Sequence, residues 1–186
     1  MSTLKVPVSQ RDHIRGPASA PITLVEYGDY ECPHCGMAHP VVQAVQENFG
    51  PQLRFVFRHF PLNEIHPFAQ SAAEAAEFAG DHRKFWEMHD GLYANQEMLQ
   101  DAASAMRLLF ALAETLGLSG DQLRDALEQG EYAPKVRDDF MGGIRSGVNG
   151  TPSFFINGRR HDGSYAFDEF VPAIEAELRA GAAAHP

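Results

Sequence analysis

The sequence predicts a single α/β domain that is interrupted by an all-helical segment. Patterns typical of a strand, a helix and a second strand follow one another over residues 22–57, and only helical patterns occur over residues 67–148. Two short strand patterns and a helix close the chain over residues 153–180. A length of 186 residues fits one domain with an insertion. The predicted order is therefore βαβ, five helices and ββα.

The first unit is a βαβ motif. The segment Ile22–Tyr27 is rich in β-forming residues and is bounded by a proline and a glycine, and Leu53–Phe57 has the same character. Between them a helix is predicted to begin at Pro33 and to end at Gly50, because apolar residues recur there at helical spacing: Met37, Ala38, Val41, Val42, Val45 and Phe49. The two strands are expected to pair in parallel through this helix.

Five helices are predicted next, over residues 69–79, 84–98, 104–116, 120–129 and 132–147. Gly80, Gly117 and Gly130 mark the ends of three of them. We interpret residues 67–148 as an inserted helical subdomain, and residues 1–66 and 149–186 as the two parts of the domain that receives it.

The last unit is a hairpin followed by a helix. Ser153–Ile156 has strand character, and Asn157-Gly158 is a strong signal for a two-residue turn before residues 159–162. The apolar spacing of residues 167–180 predicts the closing helix.

Composition and charge exclude several classes of protein. The net charge of −10 would repel a nucleic acid backbone. The most apolar stretch, residues 102–118, is broken by Arg107 and Glu114, so no membrane span is expected. The first 20 residues carry no apolar core of a signal peptide. A cytoplasmic location is therefore expected, the alternative being a periplasmic or exported protein whose signal peptide has been removed.

The two cysteines, Cys32 and Cys35, are the candidate reactive groups. Pro33 favours the first position of a helix, which makes Cys32 the N-cap residue, facing free backbone N–H groups and the positive end of the helix dipole. This position lowers a thiol pKa, and His34 would lower it further when protonated. Two thiols on one helical turn can form a disulfide, and a stabilised thiolate favours an oxidising pair.

Zinc binding is the alternative chemistry for this Cys-x-x-Cys spacing. Zinc sites of this kind normally use a second pair of ligands, and the chain has no second cysteine pair. Histidines such as His34, His39, His59 and His66 offer nitrogen ligands instead. A non-catalytic module that binds zinc or senses redox state stays open at this point.

Two stretches resemble a known family. Residues Leu24–Cys35, with the motif Cys-Pro-His-Cys, and residues Val148–Gly158, with the sequence Thr-Pro before a strand, are similar to the DsbA-like thiol-disulfide oxidoreductases of the thioredoxin superfamily. The resemblance implies a thioredoxin fold with a helical insertion. It also implies disulfide exchange with thiol- or disulfide-bearing protein substrates, together with an unidentified redox partner, without a cofactor or metal. The net direction of exchange is not implied.

The resemblance assigns roles to five residues of the first motif region. Cys32 matches the nucleophile and Cys35 the buried resolving thiol, while Pro33 and His34 match the dipeptide that sets the redox potential. Glu26 lies where the family often keeps a buried acid that shuttles a proton for the resolving thiol. An outward-facing residue of an edge strand is the alternative for Glu26.

The second motif supplies the expected substrate platform. Pro152 matches the family's cis-proline, which brings the Thr151 backbone beside the sulfurs, where a substrate segment can pair with it; a trans-proline that only begins a strand is the alternative. His59 lies in a segment frequent in the family, and a structural, hydrogen-bonded role is favoured over a part in catalysis.

A same-fold alternative is a glutathione-dependent transferase or isomerase of the kappa type. That class also carries a helical insertion, but its second motif cysteine is usually absent. The presence of Cys35 therefore argues against it.

Overall fold

A computed structural model describes residues 2–183. Five strands form one sheet in the order β1-β3-β2-β4-β5, and the described residues contain seven α-helices. The strands are β1 (His13–Arg15), β2 (Ile22–Gly28), β3 (Leu53–His59), β4 (Ser153–Ile156) and β5 (Arg159–His161). The helices are α1 (Pro33–Phe49), α2 (Ala69–Asp81), α3 (Phe85–Ala94), α4 (Ala102–Thr115), α5 (Gly120–Gln129), α6 (Ala133–Arg145) and α7 (Phe167–Ala183). This is the predicted α/β thioredoxin fold with a helical insertion, which is confirmed.

The sheet is mixed, with β2 at its centre. β2 and β3 run parallel with Glu26 opposite Phe57, as expected for strands joined through a crossover helix. β4 lies antiparallel on the other side of β2, with Tyr27 opposite Ser153, and β5 pairs antiparallel with β4. This order brings the ends of β2 and β3 and the start of β4 to one edge of the sheet.

Alternating residues of the central strands face two apolar layers. Leu24 and Phe57 belong to the larger core cluster, which also contains Cys35 and residues of α1, α3 and α7. Val25 and Val56 belong to a smaller cluster on the opposite face. Side chains of a strand alternate between faces, so Glu26 lies on the face of Leu24.

The insertion differs from the prediction in detail. Gly80 was expected to end the second helix, but α2 continues to Asp81, and the chain turns at Arg83, which has a φ of 60°. The helix predicted over residues 84–98 is interrupted: α3 ends at Ala94, and a short 3-10 helix follows over Gln96–Gln100. The subdomain boundaries at residues 67 and 148 stay a prediction.

One strand was missed. His13–Arg15 pairs antiparallel with β3 at the edge of the sheet, although a three-residue run carries no alternation that a pattern could detect. Its place is fixed by tertiary contacts. Arg15 reaches Asp90 of the insertion at 2.9 Å, and His13 reaches Glu77 at 2.9 Å.

Across residues 2–183, no helix combines the length and the apolar character needed to cross a bilayer.

Candidate active site

The first turn of α1 places the two cysteines at the end of the sheet where β2 and β3 finish. Cys32 is the N-cap residue with extended backbone angles (φ −71°, ψ 119°), and Pro33 occupies the start of the helix. Both thiols are free, and Cys32 is 4% exposed whereas Cys35 is fully buried. The strand-to-helix turn therefore places one sulfur near the surface and the other beneath it.

The surroundings of Cys32 favour the thiolate. A hydrogen bond from the Cys35 thiol is the largest cause that lowers the pKa of Cys32 to about 5, against the opposing effect of burial. Backbone N–H groups of His34 and Cys35 also contribute. The contribution of His34 among these causes comes from its backbone, and its side chain is exposed. A thiolate at the start of a helix is stabilised in the way that its N-cap position predicts.

Cys35 has the opposite tendency. Burial raises the pKa of Cys35 well above its ordinary value, and hydrogen bonding to Cys32 and the negative charge of Glu26 raise it further. At neutral pH the pair therefore holds one thiolate and one thiol. This asymmetry is what distinguishes an attacking sulfur from a resolving one.

Glu26 is buried in the central strand and is not an outward-facing edge residue. It is 2% exposed, and its Oε1 atom has no hydrogen-bond partner among the described residues. Burial, and secondly the charge of Cys32, raise the pKa of Glu26 to about 8. Glu26 therefore holds a proton at neutral pH on the face of the sheet that contains Cys35.

The loop before β4 reaches the same sulfur. The Thr151–Pro152 peptide bond, expected to be cis, is cis. Cys32 Sγ lies 3.4 Å from the Thr151 carbonyl oxygen and donates to it in the thiol form. The pairing of Ser153 with Tyr27 fixes this loop next to the end of β2. The structure thus brings the two predicted motifs together.

Asp29 is a site residue that the sequence analysis missed. Its buried carboxylate accepts hydrogen bonds from the backbone N–H groups of Glu31 (2.8 Å) and Leu62 (2.9 Å), and it lies 2.7 Å from His66 Nδ1. It ties the loop after β3 to the turn before Cys32. The feature of the sequence that could have indicated this role is a polar residue directly after a buried strand.

His59 lies in a separate buried cluster. Its Nε2 atom is 2.8 Å from Glu77, and its backbone N–H donates to Asp139 at 3.2 Å. Lys135 supplies a positive charge to the same cluster, at 2.6 Å from Asp139. These contacts give His59 a hydrogen-bonded structural place, as the sequence analysis favoured.

Two groups of side chains in residues 2–183 have the spacing to hold a metal ion. They are His39, His89 and Asp90, and His59, Glu77 and Asp139. Neither group contains Cys32 or Cys35, so the described histidines and carboxylates do not complete a coordination shell around the cysteine pair.

A mixed sheet, a cysteine pair at the start of its crossover helix and a cis-proline beside the first sulfur together define a thioredoxin-fold protein with a helical insertion. A sequence model of the thioredoxin family matches residues 8–176. The chain therefore belongs to the thioredoxin family.

Solved structures share the whole fold. BdbD from Bacillus subtilis, in its oxidised form, superposes with a TM-score of 0.85 at 24% identity, covering 96% of this chain and 98% of that one. The α-DsbA1 protein of Wolbachia pipientis gives a TM-score of 0.82 at 22% identity and covers 98% of each chain. The fold is thus DsbA-like.

Curated relatives are more similar in sequence but much longer. The Na⁺/H⁺ antiporter NhaA 1 of Salinispora arenicola is 49% identical over 172 residues, which are 92% of this chain and 26% of the antiporter. The antiporter NhaA 1 of Mycobacterium sp. (strain KMS) is 40% identical over 177 residues, or 94% of this chain and 28% of that protein. The chain spans about a quarter of the length of these relatives.

Proposed function

We propose that this protein is a thiol-disulfide oxidoreductase that exchanges disulfides with protein substrates through Cys32 and Cys35. The observation that carries the proposal is the asymmetry of the pair. The pKa of Cys32 is lowered to about 5, while the pKa of the buried Cys35 is raised well above its ordinary value. One sulfur is thereby suited to attack and to leave, and the other to resolve.

The reaction is a transfer of two electrons between two pairs of thiols. In the oxidising direction a client thiolate attacks Cys32 of the disulfide form, the bond between Cys32 and Cys35 breaks, and Cys35 leaves with the electron pair. A second client thiolate then attacks the client sulfur of the mixed disulfide and releases the Cys32 thiolate. The client gains a disulfide and the protein becomes the dithiol. The reducing direction reverses each step.

In this scheme Glu26 exchanges a proton with the buried sulfur of Cys35. A Cys35 thiolate formed in the core would be an unpaired buried charge, which is costly. Burial, the larger cause of the raised pKa of Glu26, acts in both redox forms, so this acid can hold a proton and deliver it to Cys35 as the disulfide opens. In the reverse direction the carboxylate takes the proton back.

Thr151 supplies the platform for the client. Its carbonyl oxygen lies 3.4 Å from Cys32 Sγ, so a client segment that pairs with the Thr151 backbone holds its own sulfur close to Cys32. Affinity then comes from main-chain hydrogen bonds, which suits many client sequences.

The other candidates are less well supported. A kappa-type glutathione transferase or isomerase would not need Cys35, whose position beneath Cys32 suits disulfide formation. A zinc module would need two further ligands near the sulfurs, and the candidate metal groups of the described residues lie elsewhere. We do not propose ion transport for this chain, because the region that it shares with the antiporters is only about a quarter of their length.

Variants of the two cysteines test the proposal. Cys35→Ser should still attack a disulfide-bearing peptide but should accumulate a mixed disulfide at Cys32, because the resolving thiol is gone. Cys32→Ser should form no mixed disulfide with the peptide. Non-reducing electrophoresis with mass spectrometry reads both outcomes. If neither variant traps the peptide, or if both lose activity identically, the assigned roles are wrong.

The equilibrium redox potential of the cysteine pair against glutathione indicates whether the protein mainly oxidises or mainly reduces its substrates. A strongly oxidising value is expected, because the stabilised Cys32 thiolate favours the dithiol form. A potential near about −270 mV, the value for thioredoxin, would indicate a reductase instead.

A further inference from the structure

One side chain of the helical insertion reaches the turn that carries Cys32. The Nε2 group of Gln96 donates to the backbone carbonyl of Tyr30 at 2.8 Å and to that of Cys32 at 2.8 Å. Gln96 opens the 3-10 helix between α3 and α4, and it is 64 residues away from Cys32 along the chain. A single carboxamide therefore ties Tyr30, two residues before the motif, and Cys32, its first cysteine, to the insertion.

Gly36 leaves the space that this carboxamide fills. A Cβ atom added at Gly36 would overlap Oε1 of Gln96 and would lie 2.9 Å from its Cδ atom. The backbone N–H of Gly36 donates to the same Cys32 carbonyl at 3.1 Å. The glycine thus permits Gln96 to approach the first turn of α1, and the Cys32 carbonyl accepts from both residues.

We propose that Gln96 is a positioning residue for the Cys32 nucleophile, through which the helical insertion controls thiol exchange. The inference rests on the proposed function. Gln96 touches neither sulfur, and it acts on the peptide groups that determine how the first turn of α1 faces Cys32 Sγ.

Two physical effects follow from these hydrogen bonds. The bonds hold the turn so that the backbone N–H groups of His34 and Cys35 point at the Cys32 sulfur, and both groups favour the thiolate. The Gln96 N–H groups also offset the negative ends of the Tyr30 and Cys32 carbonyl dipoles, both of which belong to the turn that carries the sulfur. Loss of the carboxamide should therefore destabilise the thiolate relative to the thiol.

The first test replaces Gln96 with methionine, which keeps the length and volume of the side chain but has no N–H donor. Alkylation of the reduced protein by iodoacetamide is followed across a pH series, since it reports the Cys32 thiolate without any exchange reaction. We expect the alkylation midpoint to rise by about one pH unit, which is about a tenfold lower rate below the midpoint. Gln100→Met, an exposed glutamine in the same 3-10 helix, is the matched control and should leave the midpoint unchanged.

Gly36→Ala is an independent way to displace the carboxamide. Alanine favours helix over glycine by about 1 kcal/mol, so this variant should not be destabilised by the helix itself. The new Cβ atom must push the flexible end of Gln96 away from the Cys32 carbonyl. We expect a rise of the alkylation midpoint similar to that of Gln96→Met. In a Gln96→Ala background, the same Gly36→Ala change should add nothing, because there is no carboxamide left to displace.

The outcomes separate this inference from the proposed function. If the wild-type protein does not exchange with a disulfide-bearing peptide, the proposed function fails whatever Gln96 does. If the wild type exchanges, but Gln96→Met and Gly36→Ala lower only the free energy of unfolding and leave the midpoint unchanged, Gln96 has a structural role and the inference is overturned. Additive effects of the two changes in the double variant would overturn it as well.

Discussion

Replacing Glu26 with glutamine tests whether the chain holds a protonated acid beside the cysteines. Burial, followed by the charge of Cys32, raises the pKa of Glu26 from 4.5 to about 8 in the folded protein. The folded state therefore keeps a proton that the unfolded chain releases. The stability that depends on this proton is fully present below pH 4.5 and is lost as the pH rises through 8.

The size of the effect follows from the difference between the two pKa values. A gap of 8 − 4.5 = 3.5 units corresponds to at most about 5 kcal/mol above pH 8, and to about 3 kcal/mol at pH 7. Cys32 contributes a dependence of the opposite sign, because its pKa is lowered to about 5. Since both proteins contain Cys32, the difference between the variant and the wild type isolates Glu26.

Urea denaturation of the reduced proteins between pH 4 and pH 9 measures this difference. The free energy of unfolding of Glu26→Gln, relative to wild type, should increase steadily between pH 5 and pH 8. Glu47→Gln, which changes an exposed carboxylate, should show no such trend. The trend should be smaller in the disulfide forms, where Cys32 has no charge. A difference that stays constant from pH 5 to pH 8 would refute a raised pKa for Glu26.

Three further outcomes are expected. Iodoacetamide should modify Cys32 with a midpoint near pH 5 and leave Cys35 unmodified in the native protein; a midpoint near pH 9 would contradict the N-cap argument. His34→Ala retains the backbone N–H that favours the thiolate, so the alkylation midpoint should move by less than about one unit, and a larger shift would assign the main effect to the imidazole. Glu77→Gln should lower the free energy of unfolding by about 2 kcal/mol at neutral pH, because the hydrogen bonds that His13 and His59 donate to the buried Glu77 carboxylate are weakened. This loss should shrink below pH 4.5 in acid denaturation curves, since hydrogen bonds from histidines outweigh burial and hold the pKa of Glu77 well below that value; a loss independent of pH would contradict it.

Local patterns predicted much of the fold. The bounds of α1 and α5 match the expected ones, because proline, serine and glycine signals mark their ends directly in the sequence. β1 gave no such signal. It is three residues long, and it is held by pairing with β3 and by ion pairs to the insertion, which no local window contains.

In the candidate site, too, local features of the sequence were predicted and long-range contacts were not. The position of Cys32 at the start of α1 follows from Pro33 alone, because proline favours the first helical position. The roles of Asp29 and Gln96 depend on hydrogen bonds to distant segments of the chain, at 33 and 66 residues in sequence for Leu62 and Tyr30 respectively. A helical pattern over residues 84–98 concealed the break after Ala94 that turns Gln96 toward the active site.

The single tryptophan of the chain, Trp86, is an intrinsic fluorescent probe located in the insertion. The Trp86 ring, on α3, packs against Phe55 of the sheet with ring centroids 5.7 Å apart, and the Arg15 guanidinium lies 4.5 Å from its centroid. All of its emission therefore comes from the junction between the helical layer and the sheet. Intrinsic fluorescence can report the undocking of that layer in time-resolved experiments without any added dye, separately from the chemistry at the sulfurs.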